Sequence, residues 1–185
     1  MISILGCSGV GKSTLIKSIE VKLSDVKVIS ENVDEVLSKM KYTSTSDPYE
    51  KFIATQEAFI DRDIFQLDSG EECLVFDNRL AEYIFYLLHH PDFIDRKDES
   101  YARLETKIDC ILNKPRITSF YISDSLECIE ARVKMDASRT RNFWSFFVEN
   151  FYPHHEKWHC DNGAYVIEVN GRSPDAVAEE ILSVL

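Results

Sequence analysis

Residues 6–13 read Gly-Cys-Ser-Gly-Val-Gly-Lys-Ser, and they constrain the chain more than any other stretch. They match the pattern G-x-x-x-x-G-K-[ST] in full. An apolar run, Ile2–Leu5, precedes them, and apolar residues at helical spacing (Leu15, Ile16, Ile19, Leu23) follow. Strand, glycine loop and helix in that order form a turn whose backbone N–H groups curl inward, with the positive end of the helix behind them. Such a concavity suits the phosphates of a nucleoside triphosphate. Lys12 is placed to reach the β- and γ-phosphates, and the Ser13 hydroxyl to ligate Mg²⁺. Gly6, Cys7, Ser8, Gly9, Val10, Gly11 and Thr14 complete the expected ATP-binding segment. Cys7-Ser8-Gly9-Val10 carries no charge, so the loop offers no catalytic cation or acid beyond Lys12.

The rest of the chain repeats the strand-then-helix theme. Val26–Ile29, Cys73–Phe76, Thr118–Ile122 and Ala164–Val169 read as further strands. Helical patterns cover Thr14–Leu23, Pro48 to about Leu67, Leu80–His89, Glu99–Leu112 and Leu126–Lys134. Phe143–Trp158 reads as one long helix broken or kinked near Pro153, its many aromatic residues suited to core or subunit-interface packing. Ser173 and Pro174 form an N-cap and first-turn pair for a closing helix. Alternation of strands with helices predicts an α/β fold of the P-loop NTPase type. It has three layers, a five-stranded parallel sheet with helices on both faces. The strands are continuous apolar runs, as a sheet covered on both sides requires. Ligands of such sheets sit outside the carboxyl ends of the strands. Gly6, Glu31 and Asp77 all follow strand ends and should converge on one crevice.

A length of 185 residues fits a single domain spanning 1–185, and 44% hydrophobic with 29% charged residues fits a soluble protein. No apolar run is long enough for a membrane span, and residues 1–5 lead straight into the loop without a secretory pattern. A net charge of −11 argues against holding long nucleic acid on a broad basic surface. Cys7, Cys73, Cys110, Cys128 and Cys160 are scattered and form no C-x-x-C pair. That argues against a disulfide framework or zinc site and makes a reducing cytoplasm the expected location. His154, His155, His159 and Cys160 fit no common zinc spacing and read as a helix-surface cluster beside Trp158. His89-His90 reads as a helix end.

Beyond the loop, three segments together with it make the chain resemble the deoxynucleoside kinase family. Ser30-Glu31-Asn32-Val33-Asp34-Glu35-Val36 looks like the family's E-P-V-x-x-W segment after the second strand. Asp47-Pro48, then Gln56, Phe59 and Arg62, look like its D-P…Q-x-x-F-L-x-x-R helix. The unit Ile117–Lys134, followed by Arg139-Thr140-Arg141, resembles its arginine-rich lid, here at about 132–145. The resemblance spans nearly the whole chain and implies a kinase that uses ATP and Mg²⁺, acts on a small deoxynucleoside or deoxynucleotide, and forms a homodimer.

It also implies roles, each with a chemical reason. Glu31 stands where the family places its general base, able to take the proton of a 5′-hydroxyl as that oxygen attacks the γ-phosphorus. Gln56 offers an amide suited to a nucleobase edge. Arg62 would touch the base or support Glu31. Pairing of Arg62 with Asp61 or Asp63 is the weaker alternative, because adjacent helical residues face different ways. Tyr42, with Tyr49 as rival, is the candidate for the sugar 3′-hydroxyl. Phe52 and Phe59 are candidates for stacking on the base, with core packing as the alternative for both. Asp77 can hold Mg²⁺ directly or through water. The family reads E-R-S or D-R-[SHY] there, whereas this chain reads Asp77-Asn78-Arg79, so either Arg79 acts from one residue later or the loop is rebuilt. Arg132, Lys134, Arg139 and Arg141 concentrate positive charge in a short stretch of an acidic protein. Arg139 and Arg141 are expected to stabilise the transferring phosphoryl group, and Arg132 to contact ATP.

The expected activity is therefore transfer of the γ-phosphate of ATP to the 5′-hydroxyl of a deoxynucleoside. Three alternatives stay open: a thymidylate-like deoxynucleoside monophosphate kinase, a polynucleotide hydroxyl kinase, and a regulatory module that binds nucleotide without catalysis.

Overall fold

The computed structural model describes residues 1–31, 36, 45–70, 73–113, 117–136 and 143–185. Five strands form one all-parallel sheet: β1 (Ile2–Leu5), β2 (Lys27–Ile29), β3 (Leu74–Asp77), β4 (Thr118–Ser123) and β5 (Tyr165–Glu168). Their order across the sheet is β2-β3-β1-β4-β5, which puts the strand feeding the glycine loop at the centre. Ile4 pairs with Asp77 on one side and Phe120 on the other. The predicted strands are all present, with ends shifted by a residue or so.

Among the described residues, α1 (Lys12–Lys22), α2 (Pro48–Leu67), α3 (Leu80–His89), α4 (Lys97–Leu112), α5 (Leu126–Met135), α6 (Trp144–Asn150), α7 (Tyr152–Asp161) and α8 (Pro174–Val184) cover the sheet. A 3₁₀ segment, Pro91–Arg96, joins α3 to α4. Local chemistry sets several starts. The Asp47 carboxylate accepts from the Tyr49 N–H, with Pro48 in the first turn of α2. Ser125 and Ser173 cap α5 and α8 in the same way.

One core cluster joins β1 and β4 to α1, α7 and α8 through residues such as Ile4, Ile19, Phe120, Phe151 and Ile181. A second joins α2, α3 and α4 through Ile53, Ile60, Leu87, Leu104 and Ile108. The helix expected over 143–158 with a break near Pro153 is broken there, into α6 and α7, which meet at Phe151. Pro153 sits in the first turn of α7, where its missing N–H needs no acceptor, so it starts a helix and does not bend one. The break lets Phe147 and Phe151 bury their rings, Phe151 edge-on to Phe85 at 5.7 Å, which is core packing as expected.

Candidate functional site

The phosphate loop turns sharply out of β1 and into α1. Gly6, Gly9 and Gly11 have φ of +136°, +87° and +109°, a region that L side chains rarely adopt. Gly6 has a further reason to lack a side chain, since a Cβ there would lie 2.7 Å from the Ile122 carbonyl oxygen of β4. Lys12 folds back over the loop, its Nζ donating to the Gly6 carbonyl at 2.6 Å and the Cys7 carbonyl at 3.4 Å. Ser13 and Thr14 lie exposed in the first turn of α1. Cys7 is buried, and burial pushes its thiol up to about 11, so it is a packing residue and not a nucleophile. On the far side, Arg132 of α5 pairs with the Asp124 carboxylate and donates from Nη1 to the Val10 carbonyl at 3.3 Å. That tie brings a guanidinium to the rim of the loop.

Glu31 follows β2 and faces this loop. Its carboxyl is raised above the ordinary glutamate value, first by burial, with Lys12 opposing, Glu82 and Asp77 adding, and a hydrogen bond from Asn78 opposing. Lys12 and Asp77 thus both act on Glu31 across the carboxyl ends of β1, β2 and β3. Asp77 is the last residue of β3, and its Oδ1 is buried without a partner. Its oxygen and the exposed Ser13 hydroxyl are each of the hard kind that Mg²⁺ takes.

Asn78 accounts for the departure in Asp77-Asn78-Arg79. Its φ is +58°, a left-handed turn that asparagine tolerates. Its N–H donates to the Ile4 carbonyl at 3.1 Å. The extra residue therefore closes the turn between β3 and α3 and engages Glu31 through its side chain. Arg79, next along, has its guanidinium over the Phe76 ring at 5.6 Å and lies in the field of Asp63, with its Nε buried and unpartnered.

Arg62 is the most committed residue of α2. Its Nη1 donates to the carbonyls of Ser30 (2.9 Å) and Glu31 (2.6 Å), and its Nη2 donates to the Tyr83 hydroxyl at 2.6 Å. It thereby pins the backbone that carries Glu31. Its Nε and Nη2 also reach Asp63 Oδ1, at 3.2 and 2.9 Å. Pairing with the adjacent aspartate, set aside above on helix geometry, thus forms, because the long arginine side chain curls back across one residue. In the pattern Q-x-x-F-L-x-x-R the arginine stands seven places after the glutamine, which is Asp63 here, so Arg62 is displaced by one. Asp63 is fully buried, and burial pushes it up to about 6 against the pull of Arg62.

Gln56 is buried, and its Oε1 has no partner. A buried amide oxygen left free costs stability unless a ligand satisfies it. Phe59 is stacked on Tyr83 (centroids 5.1 Å apart, planes at 16°), and Phe52 packs on His90 and Phe93 at 4.9 and 5.0 Å. Both rings are engaged by core neighbours. Tyr49 is buried with its hydroxyl on Ser100 at 3.2 Å, which occupies the rival to Tyr42. Tyr42, Arg139 and Arg141 lie outside the described residues.

The histidine reading needs correction. His155 and His159 are buried, with Glu82 buried between them, while His154 and Cys160 are exposed. The residues four apart share the inner face of α7, and a carboxylate on α3 makes that face habitable for them. Nothing in α7's own sequence identifies that partner. Glu82's carboxyl, though burial works to raise it, is held well below the usual range by His155 and His159.

The fold has solved counterparts. A deoxyadenosine kinase from M. mycoides with bound dATP is 21% identical, with a TM-score of 0.68, covering 99% of this chain and 97% of that one. A thymidylate kinase from Candida albicans is 15% identical, with a TM-score of 0.59 and coverage of 99% and 89%. A tunicamycin resistance protein from Deinococcus radiodurans is 17% identical, with a TM-score of 0.61 and coverage of 99% and 93%. No curated protein matches the sequence significantly. At these identities the likeness establishes the α/β fold alone. Residues 1–144 of the 185 match the family model for an AAA domain, and the chain belongs to that P-loop family.

Proposed function

We propose that this protein is a single-domain deoxynucleoside kinase that transfers the γ-phosphate of ATP to the 5′-hydroxyl of a deoxynucleoside. The observation that carries the reading is Glu31. It is a carboxylate held beside the phosphate-loop lysine, raised above its ordinary value, and locked in place by Asn78 and by Arg62 on its own carbonyl. A base so raised is better matched to neutral pH.

In this reading the loop N–H groups and Lys12 hold the triphosphate, Lys12 exchanging its loop carbonyls for phosphate oxygens. Ser13 and Asp77 would hold Mg²⁺, which supplies charge neutralisation at the phosphates. The acceptor hydroxyl loses its proton to Glu31 Oε as its oxygen bonds to the γ-phosphorus, and the bond from phosphorus to the β,γ-bridging oxygen breaks. Gln56 reads the base edge through the amide whose oxygen is free. Arg132, with Arg139 and Arg141 of the lid, balances the spreading charge and closes the site to water.

The monophosphate reading needs a free cation for the acceptor's own phosphate. Among the described residues, Arg62 is committed to two carbonyls, a hydroxyl and Asp63, which favours the neutral nucleoside, while Arg79 lies over Phe76 beside the buried Asp63 with its Nε unpartnered. The M. mycoides deoxyadenosine kinase and the C. albicans thymidylate kinase share this fold with different acceptors, so acceptor choice is measured directly. The protein is incubated with γ-labelled ATP, Mg²⁺ and separate nucleosides, monophosphates and a 5′-hydroxyl oligonucleotide. Label on one or more deoxynucleosides is the expected result. Label on monophosphates alone would sink the reading, and no label on any acceptor would point to a regulatory module. Light scattering on the same preparation reports whether the homodimer of this reading forms.

A further inference from the structure

We propose that Glu82, His155 and His159 form a divalent metal site of the zinc class, buried beneath the phosphate loop and separate from the nucleotide's Mg²⁺. The three side chains come from two helices. His155 and His159 stand four apart on α7, and Glu82 lies in the first turn of α3. One ligand atom from each lies within 4.8 Å of the others.

The distances favour a shared ion over a network of protons. His155 Nε2 lies 2.9 Å and His159 Nε2 3.0 Å from the same oxygen, Glu82 Oε2, and the two nitrogens are 3.3 Å apart. To donate to the carboxylate, both nitrogens must carry protons, which sets two N–H groups side by side. His159 Nδ1 is buried without a partner in either arrangement, so it does not distinguish them. Around an ion about 2.1 Å from each ligand, a 3.3 Å separation subtends about 104° and the 2.9–3.0 Å separations about 90°. The first is close to the tetrahedral angle of a zinc shell, and the other two would open by about 20° as the ion enters. Around His155 the surroundings supply what an ion-bound imidazole needs. Tyr121 OH lies 2.8 Å from His155 Nδ1, where it can accept that nitrogen's proton and fix the ring. Phe85 packs against both imidazoles, at 4.8 and 5.9 Å, and keeps the surroundings apolar. Two neutral imidazoles and one carboxylate leave an ion of charge +2 with net charge +1, far less costly to bury than a bare ion. The site would bolt α7 to α3 below the central strand.

Because the ligands are sealed, the ion enters as the chain folds. The test therefore uses protein grown with added Zn²⁺, and protein unfolded in denaturant with EDTA and then refolded with either Zn²⁺ or Co²⁺. Elemental analysis after gel filtration should find about one Zn²⁺ per chain, and the Co²⁺ form should show visible d–d absorption. The refolded Zn²⁺ form should melt higher than the form refolded with EDTA. His159→Ala and Glu82→Gln should lose the equivalent, while His154→Ala and Cys160→Ser, at exposed neighbours, should keep it. If the first two variants fail to fold, the stoichiometry, the cobalt spectrum and the melting difference of the unaltered chain decide the matter. Metal-free protein from both routes, with no cobalt absorption and no melting difference, would overturn the site. So would equal zinc in the Glu82→Gln and unaltered chains. None of these readouts depends on kinase activity.

Discussion

At the scale of single residues, two carboxylates, one half-buried and one buried, carry opposite lessons. Glu31 was legible as a candidate from its place after a strand and its resemblance to a family motif, and the structure gives it an electrostatic setting. As a general base it must be ionised to act, and its value is raised. Activity should therefore fall as pH drops, with an acid limb above the roughly 4.3 of an ordinary glutamate. Glu31→Gln should lose about 10²–10⁴-fold in kcat, and a kcat/KM profile across pH 4–9 for both chains checks limb and loss together. Retention of full turnover by the variant would remove Glu31 from that role. Asp63 was read only as a weak partner for Arg62, because its burial depends on α3 and β3 closing over it, which no local pattern announces. Its folded-state value of about 6 lies above the ordinary 3.8, so the folded chain holds its proton more tightly than the unfolded one. That stabilisation is complete below about pH 4 and gone above about pH 6, roughly 3 kcal/mol in all. Urea unfolding at pH 4.5, 5.5 and 7 should show the loss in the unaltered chain and a flatter dependence in Asp63→Asn. Equal slopes in the two chains would exclude Asp63 as the source.

At the scale of elements, strands and helices were readable wherever apolar period and punctuation agreed. Pro48–Leu67 and Leu80–His89 fall where the pattern placed them, because Asp47, Pro48 and the apolar stripes point to the same boundaries. The segment 143–161 was harder. Pro153 announced a break, but not that it falls at Phe151, whose burial between α6 and α7 sets it. The inward face of α7 was misread for a related reason: a histidine pair looks superficial until the carboxylate of another helix is known. The glycine loop, by contrast, was fully legible, and the structure separates the reasons for its glycines. Gly6→Ala meets both a forbidden φ and a carbonyl at 2.7 Å, whereas Gly11→Ala meets only the φ, with nothing within 4 Å of the added carbon. Gly6→Ala should thus be the costlier change, its total exceeding the roughly 1–3 kcal/mol that backbone strain alone costs. Comparing urea midpoints of the two variants tests the order, and the reverse order would mean that the approach of β1 to β4 relaxes freely.

At the scale of the whole molecule, the sheet order explains how one acidic chain can bind a polyanion. With β1 central, the phosphate loop lies between the Glu31–Asp77 side, carried by β2 and β3, and the Asp124–Arg132 side, carried by β4 and α5. The overall charge of −11 repels a triphosphate at long range, but that field is screened beyond about 10 Å in ordinary salt. Within that distance the loop N–H groups, Lys12 and Arg132 dominate. Binding should be local, so the whole fold should register it as stability. At 100 times its dissociation constant, Mg²⁺–ATP should add about 2.7 kcal/mol, a rise of roughly 5–10 °C in melting temperature for a chain of this size. Lys12→Ala should lose most of that rise while melting close to the unaltered chain without nucleotide, since among the described residues its Nζ bonds only loop carbonyls. The acceptor adds a second axis. With a non-hydrolysable ATP analogue present, the preferred deoxynucleoside should raise the melting temperature further, and Gln56→Ala should diminish that second increment and not the first. If Gln56→Ala alters both increments alike, the buried amide supports the fold and does not read the base. If Lys12→Ala leaves the first increment whole, the nucleotide binds somewhere other than the loop.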